Sequence, residues 1–284
     1  MKNFFVFNEG FSKSKTASYV LSLQLDDFGY SYAILDPINL VYDAINHHNF
    51  DKKVLDKSIP EKAELMIKED LFLSKNYKTV YFNYATNKST LIPANLFDRK
   101  QLKKIFTFTH KLDEHEELHF NYIKEIDSYN LFAIPSELTT LLVNKFPEII
   151  FVHQNNVFVN SLVEKGKSVK FKLPVVHVNV NANSFEIGIY KDDKFLLLNT
   201  YLYNDENDFV YYLLNTLEQY EIKANKMHFN VSGILEKDTE FYYFVHKFIP
   251  KLKFLALQSK MSFNFKDVDE HLLFNVLNLH NANN

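Results

Sequence analysis

One arrangement occurs twice in this chain: three short apolar segments joined by tight turns, then a helical segment, then another apolar segment. The two copies begin at Tyr19 and Val175, about 156 residues apart. In the first, Leu21, Leu23 and Leu25 alternate with Ser22 and Gln24, the period of two that marks a strand. Asp26-Asp27-Phe28-Gly29 follows, a turn in which Asp tolerates the bend and Gly supplies conformational freedom. Residues 30–35 return, Asp36-Pro37 turns again, and residues 40–45 form a third strand. In the second copy, residues 175–180, 185–190 and 195–203 are the strands, and Asn181-Ala182-Asn183 and Lys191-Asp192-Asp193 are the turns. A supersecondary unit repeated at this distance reads as a duplication.

The elements after each meander complete two similar halves. Ser58, Pro60 and Glu61 form a capping box that opens a helix continuing through Leu65, Ile67, Leu71 and Phe72. Residues 78–82 are a strand, 91–97 extended, 99–108 a Lys-rich helix capped by Asp98, and 118–122 and 131–134 strands. A helix over 135–146 stops at Pro147, and residues 149–152 are a strand. In the second half a helix spans 206–221, with Phe209, Leu213, Leu217 and Tyr220 at helical spacing. Strand 227–231, helix 238–248, strand 254–257 and a terminal helix over 272–279 follow. The expected division is a flexible lead-in over 1–16 and two domains, 17–150 and 151–284.

Composition narrows the class. The chain has 284 residues, 46% hydrophobic, with 28 Phe and 17 Tyr, enough to bury a large core. There is no Cys, which removes disulfides and thiolate metal sites together. Net charge is −3, and Arg99 is the single Arg. A planar guanidinium is the usual reader of paired acceptors on bases and phosphates, so specific nucleic-acid binding is not expected. No stretch has the length of a membrane span or of a signal-peptide core, and the expected location is the cytoplasm.

The element order βββαβαβα, present twice, resembles the duplicated ribonuclease H-like (actin-like ATPase) fold, an α/β class of two mixed-sheet domains. Within that superfamily it is most similar to the assembly-platform branch of bacterial pilus and type II secretion machines. Leu91-Ile92-Pro93, Leu96-Phe97, Phe132-Ala133-Ile134-Pro135 and Phe151-Val152-His153 also resemble a Bacteroidetes-type domain-of-unknown-function family, number 3822. The superfamily resemblance implies an ATP site with Mg²⁺, gripped by two Gly-rich turns and an acid. Asp26, Gly29 and Gly233 are the residues that would serve it. Yet Phe28 is bulky, the second turn (Asn179 to Ser184) has neither Gly nor carboxylate, and the whole chain has 5 Gly. A degenerate site without bound cofactor is therefore expected.

Two further patterns carry possible chemistry. His115-Glu116-Glu117-Leu118-His119 matches H-E-x-x-H, which on a helix would hold zinc, with Glu137 as third ligand and Glu as base. The alternation of Leu118, Phe120 and Tyr122 predicts a strand instead, so no zinc is expected. Arg99, Lys100, Lys103 and Lys104 form a solvated basic face or a patch for an acidic partner. In Tyr211-Tyr212 and in Phe241-Tyr242-Tyr243-Phe244, neighbouring rings on one helix cannot all face one core, so some are exposed, as at interaction surfaces. The reading is a non-catalytic actin-like scaffold or adaptor that binds a protein partner. The alternatives are a divergent ATP-binding protein using Asp26 and the Gly233 turn, and a zinc hydrolase at His115/His119.

Overall fold

The computed structural model describes residues 2–169, 173–257 and 261–282. The chain forms two compact units. One comprises Lys2–Asn156, Ser259–Lys266 and Val276–Asn284, and the other Val157–Gln258 with Asp267–Asn275. The contacts thus divide after Asn156 rather than at 150/151, and residues 276–282 belong with the first unit.

The first unit is built on a six-stranded sheet in the order β1-β4-β3-β2-β5-β9. Its strands are β1 (Phe4–Phe7), β2 (Val20–Leu25), β3 (Gly29–Asp36), β4 (Val41–Asn49), β5 (Thr79–Tyr84) and β9 (Ile149–Phe151). Hairpins make β2, β3 and β4 antiparallel. The parallel pairs β2–β5 and β5–β9 need crossovers, supplied by helices α2 (Ile59–Glu69) and α4 (Ser136–Lys145). The capping box at Ser58 and Glu61 is present. Helix α2 ends at Glu69, short of the expected Leu71 and Phe72, because Asp70 turns extended and its carboxylate binds the amides of Phe72 and Leu73. The short α1 (Lys52–Leu55) precedes it. Leu21, Leu23, Leu25, Tyr32, Ala63, Met66, Leu138 and Leu142 form the core between sheet and helices.

Between β5 and α4 lies a three-stranded sheet, β6 (Ser89–Pro93), β7 (Glu116–Ile123) and β8 (Ser128–Pro135), in the order β6-β8-β7. It packs Ile92, Leu131 and Ala133 against Phe106 of α3 (Leu102–Phe106). The expected helix over 99–108 is this shorter segment, preceded by one 3₁₀ turn whose N-cap is Asp98.

The second unit repeats the plan without the insertion. Its sheet order is β12-β11-β10-β13-β14, from strands Val175–Val180 (β10), Ser184–Lys191 (β11), Lys194–Leu202 (β12), His228–Gly233 (β13) and Leu252–Phe254 (β14). Helices α6 (Glu206–Gln219) and α7 (Glu240–Phe248) cover one face. Helix α5 (Gln154–Ser168) precedes β10 and lays Phe158 and Leu162 against Gly188, while α8 (Phe274–Asn278) sets Phe274 on the edge of His177. The strand order β4-β3-β2-β5-β9 of the first unit is matched strand for strand. Each meander carries a bulge at the sixth residue of its second strand, Ile34/Leu35 and Ile189/Tyr190.

Two expectations are corrected. Residues 1–16 are not a loose lead-in: Phe4–Phe7 forms β1, antiparallel to β4, because its apolar residues complete a sheet edge. Met1 lies outside the described residues. Helix α5, to which no element was assigned, is buried nearly all round from Gln154 to Val163, polar Asn155, Asn156 and Ser161 included, and exposed only at its C-terminal end. A helix without a polar face gives no 3.6-residue signal.

Candidate functional site

The turn after β2 is closed by a 3.0 Å bond from the Asp26 amide to the Gly29 carbonyl. The Asp26 carboxylate folds back over the turn, and its Oδ1 accepts from the amides of Phe28 at 2.7 Å and Gly29 at 2.8 Å. Burial raises the Asp26 pKa, opposed by those two amides and by the charge of Lys62. Lys62 is buried and donates to the Asp27 carbonyl at 2.9 Å. Gly29 is required by a close approach: a Cβ there would sit 2.2 Å from the His48 carbonyl oxygen of β4.

The turn after β10 has the same backbone bonding, from the Asn181 amide to the Ser184 carbonyl at 2.8 Å. Its side chains run differently. Asn179 and Asn181 each donate from Nδ2 to Glu186 Oε2 at 2.9 Å, and Ser232 Oγ donates to Asn179 Oδ1 at 2.8 Å. His177 Nε2 lies 3.0 Å from Ser232 Oγ. Because that hydroxyl directs its proton to Asn179, the network assigns the Nε2–H donor form to His177. Burial holds the His177 pKa down at about 3, so the ring is neutral. The Ser232 proton points away from the imidazole, which is not the arrangement of an activated nucleophile. Tyr203 fixes the turn further, donating from its hydroxyl to the Asn181 carbonyl at 2.7 Å. Gly233 has φ +85°, and a Cβ would meet the Val180 carbonyl oxygen at 2.1 Å.

A nucleotide cradle needs free amides and an acid facing a cation. In the first turn the amides of Phe28 and Gly29 are bonded to Asp26 itself. In the second, the Asn181 amide is bonded within the turn, and the nearby Glu186 carboxylate is buried among asparagine donors. The carboxylates at both turns, and the amides of Phe28, Gly29 and Asn181, are thus bonded within the protein.

The H-E-x-x-H stretch leads into and lies on β7. An extended chain separates positions four apart by about 13 Å, against about 6 Å along a helix. His119 donates from Nε2 to Glu117 Oε1 across 2.7 Å and stacks on Phe132. Glu137 sits in the first turn of α4. Among the described residues no cluster of three His, Cys, Asp or Glu side chains is placed to hold a metal.

Of the paired aromatics, Tyr211 on α6 and Tyr243 on α7 are exposed, at 65% and 53%. Tyr212 instead stacks on Tyr201, with rings 5.0 Å apart and 8° from parallel. In the basic stretch, Arg99 lies over the Phe120 ring at 5.1 Å. Sequence reasoning missed the His177–Ser232–Asn179–Glu186 network, whose only signal was polar residues at alternate positions of otherwise apolar strands. It also missed Asp70, whose carboxylate accepts from the hydroxyls of Tyr30 and Tyr32, each at 3.3 Å.

No helix among the described residues is long and apolar enough to cross a membrane. No curated protein matches the chain. A crystal structure from Bacteroides thetaiotaomicron VPI-5482, of a protein with actin-like ATPase fold and unknown function, is similar with TM-score 0.76 and 24% identity. The match covers 87% of this chain and 94% of that one. The PilM–PilN type IV pilus biogenesis complex contains a chain similar with TM-score 0.60 and 12% identity, over 92% of this chain and 97% of that one. Both likenesses establish the actin-like ATPase fold. The family model for DUF3822, described as a protein of unknown function, matches residues 8–252, and the chain belongs to that family.

Proposed function

We propose that this protein is a non-catalytic actin-like scaffold or adaptor whose work is to bind a protein partner. The observation that carries this reading is the internal bonding of Asp26. The acid that would face Mg²⁺ instead accepts the amides of Phe28 and Gly29, so a phosphate would have to displace both bonds and approach a half-buried carboxylate. The similarity to the PilM–PilN complex, a protein assembly by its name, supports a partner-binding role. So do the exposed rings of Tyr211 and Tyr243, since aromatics are enriched at interfaces. The cytoplasm is the proposed location.

Thermal unfolding with and without millimolar Mg-ATP tests the reading. A ligand at a hundredfold its Kd stabilises by about 2.7 kcal/mol, a shift of a few degrees for units of this size. No shift and no ATP hydrolysis are expected. A rise that Asp26→Asn abolishes would establish a nucleotide site and overturn the proposal. Partner retention should fall with Tyr211→Ala or Tyr243→Ala, the exposed rings of the paired aromatics on α6 and α7.

A further inference from the structure

The first unit has a cleft of about 570 Å³ beside β1, between the outer strands of the sheet and the C-terminal end of α2. Its walls are aromatic, with Phe5, Tyr30, Tyr32, Phe50 and Phe72 among them. Its charge is acidic: Asp51, Glu69 and Asp70 line it, and no Lys or Arg does. The last two carboxylates stand at the C-terminus of α2, where the helix dipole adds negative potential. An aromatic and acidic enclosure suits a cation on an apolar stem. A second observation is independent of the charges. Asn46 lines the cleft, is 6% exposed, and its buried Nδ2 has no hydrogen-bond partner. An acceptor on a segment seated in the cleft would satisfy it.

The cleft is continuous with a sheet edge. β1 ends the strand order and pairs only with β4. The 2.8 Å bond from the Asn8 amide to the Asp43 carbonyl continues the β1–β4 ladder and sets its phase. By alternation, the backbone N–H and C=O groups of Phe5 and Phe7 point away from β4. They find no partner among the described residues. Phe5 and Phe7 are 37% and 52% exposed, and β1 carries none of the lysines or prolines that usually block an edge.

We infer that β1 is a docking edge for an extended segment of a protein partner, whose basic side chain enters the Glu69–Asp70 cleft. The inference rests on the partner-binding reading above and gives that partner a chemistry. The segment adds a strand through the outward groups of Phe5 and Phe7. Its side chains at alternate positions face the cleft, so one is Lys or Arg and its neighbours two residues away are apolar.

The test uses two fluorescein-labelled hexapeptides against the full chain, Thr-Leu-Thr-Lys-Thr-Val and the same peptide with Glu in place of Lys. Fluorescence anisotropy should show the Lys peptide binding at least tenfold more tightly than the Glu peptide, with the advantage shrinking at 0.5 M salt. Glu69→Gln, an exposed change, should cut that advantage at least threefold. Phe7→Pro removes an outward donor while leaving the β1–β4 bonds intact, and should weaken binding at least tenfold, whereas Phe7→Val should not. An unchanged urea midpoint shows that the proline variant is folded. Equal binding of both peptides, no binding, or indifference to Phe7→Pro would overturn the proposal. If the peptides fail while Tyr211→Ala still releases a partner, the docking edge is wrong and the broader scaffold reading stands.

Discussion

The turn after β2 and the turn after β10 are the same backbone carrying different side chains. The amide of Asp26 bonds to the carbonyl of Gly29, and that of Asn181 to Ser184. The third strand of each meander then returns to its turn in the same way: the Phe50 amide bonds to the Phe28 carbonyl, and the Tyr203 amide to the Asn183 carbonyl. Even the neighbouring polar pair is conserved in position. Gln24 faces Asn83 across β2–β5, and Asn179 faces Ser232 across β10–β13. The halves differ in where charge is placed. The first unit puts a carboxylate in the turn and satisfies it with the turn's own amides. The second puts a neutral Asn there and moves the carboxylate five residues on, to Glu186, under asparagine donors. The hydrogen-bonded frame sets the turn, and the side chains decide what the turn can still bind.

The largest expected effect tests the frame. Gly233→Ala forces a side chain onto a left-handed residue and into the Val180 carbonyl. The conformation costs about 1–2 kcal/mol and the overlap adds to it, so a loss of roughly 3 kcal/mol in urea denaturation is expected. The residue at the matching step of the first unit is Tyr84, which follows Asn83 as Gly233 follows Ser232. Tyr84→Phe, which keeps the packed ring and an ordinary strand conformation, should cost less. If Gly233→Ala is the milder of the two, the glycine is not held by this geometry.

A smaller effect separates the two polar pairs. Asn179→Leu removes the acceptor of Ser232 and a donor to the buried Glu186. Orphaning a buried polar group costs about 1–3 kcal/mol, and more where it is charged. Gln24→Leu removes a neutral acceptor from the Asn83 amide, whereas Asn179 also bonds to a buried carboxylate. Asn179→Leu should therefore be the more destabilising by about 1 kcal/mol or more in equilibrium unfolding. Equal losses would mean that the asparagines do not carry the Glu186 charge.

These contrasts also explain what the sequence made legible. The meanders could be read because tight-turn residues separate the strands and because apolar and polar residues alternate along β2 at Leu21, Leu23 and Leu25, although β3, β10 and β11 are buried on both faces. Turn chemistry placed both candidate turns, and the missing glycines of the second followed from composition. The Asn179–Glu186–Ser232 network could not be read, because its members are 53 residues apart in places and meet only through strand register. Helix α5 was hidden because its first ten residues are buried with polar and apolar side chains alike, which erases the helical period. Strand β1 was hidden for the opposite reason: four apolar residues need the β4 edge to become a strand. The strand at H-E-x-x-H was legible, since Leu118, Phe120 and Tyr122 alternate and β7 is extended there.

The smallest expected effect exchanges the two turns at their point of difference. Asp26→Asn gives the first turn the residue of the second. Both amide bonds run to the single oxygen Oδ1, and an Asn side chain can present that oxygen unchanged. The exchange is therefore a test of charge alone. Burial raises the folded-state pKa of Asp26 above its unfolded value. The folded chain thus binds this proton more tightly than the unfolded one, so the stabilisation is complete below the unfolded pKa of about 4 and is lost as pH rises through the folded value. Asn does not titrate. The stability of Asp26→Asn relative to the native chain should increase as pH rises from about 4 toward neutrality, and at pH 7 the variant should be equal to or slightly more stable than its parent. Urea midpoints across that range measure the difference. Asp26→Ala, which removes the acceptor as well as the charge, should fall about 1–3 kcal/mol below the Asn variant at every pH. If Asp26→Asn is instead less stable at pH 7 than at pH 4, relative to the parent, the carboxylate is stabilised in its charged form by something outside the turn, and the contrast between a self-satisfied acid and a neutral asparagine fails.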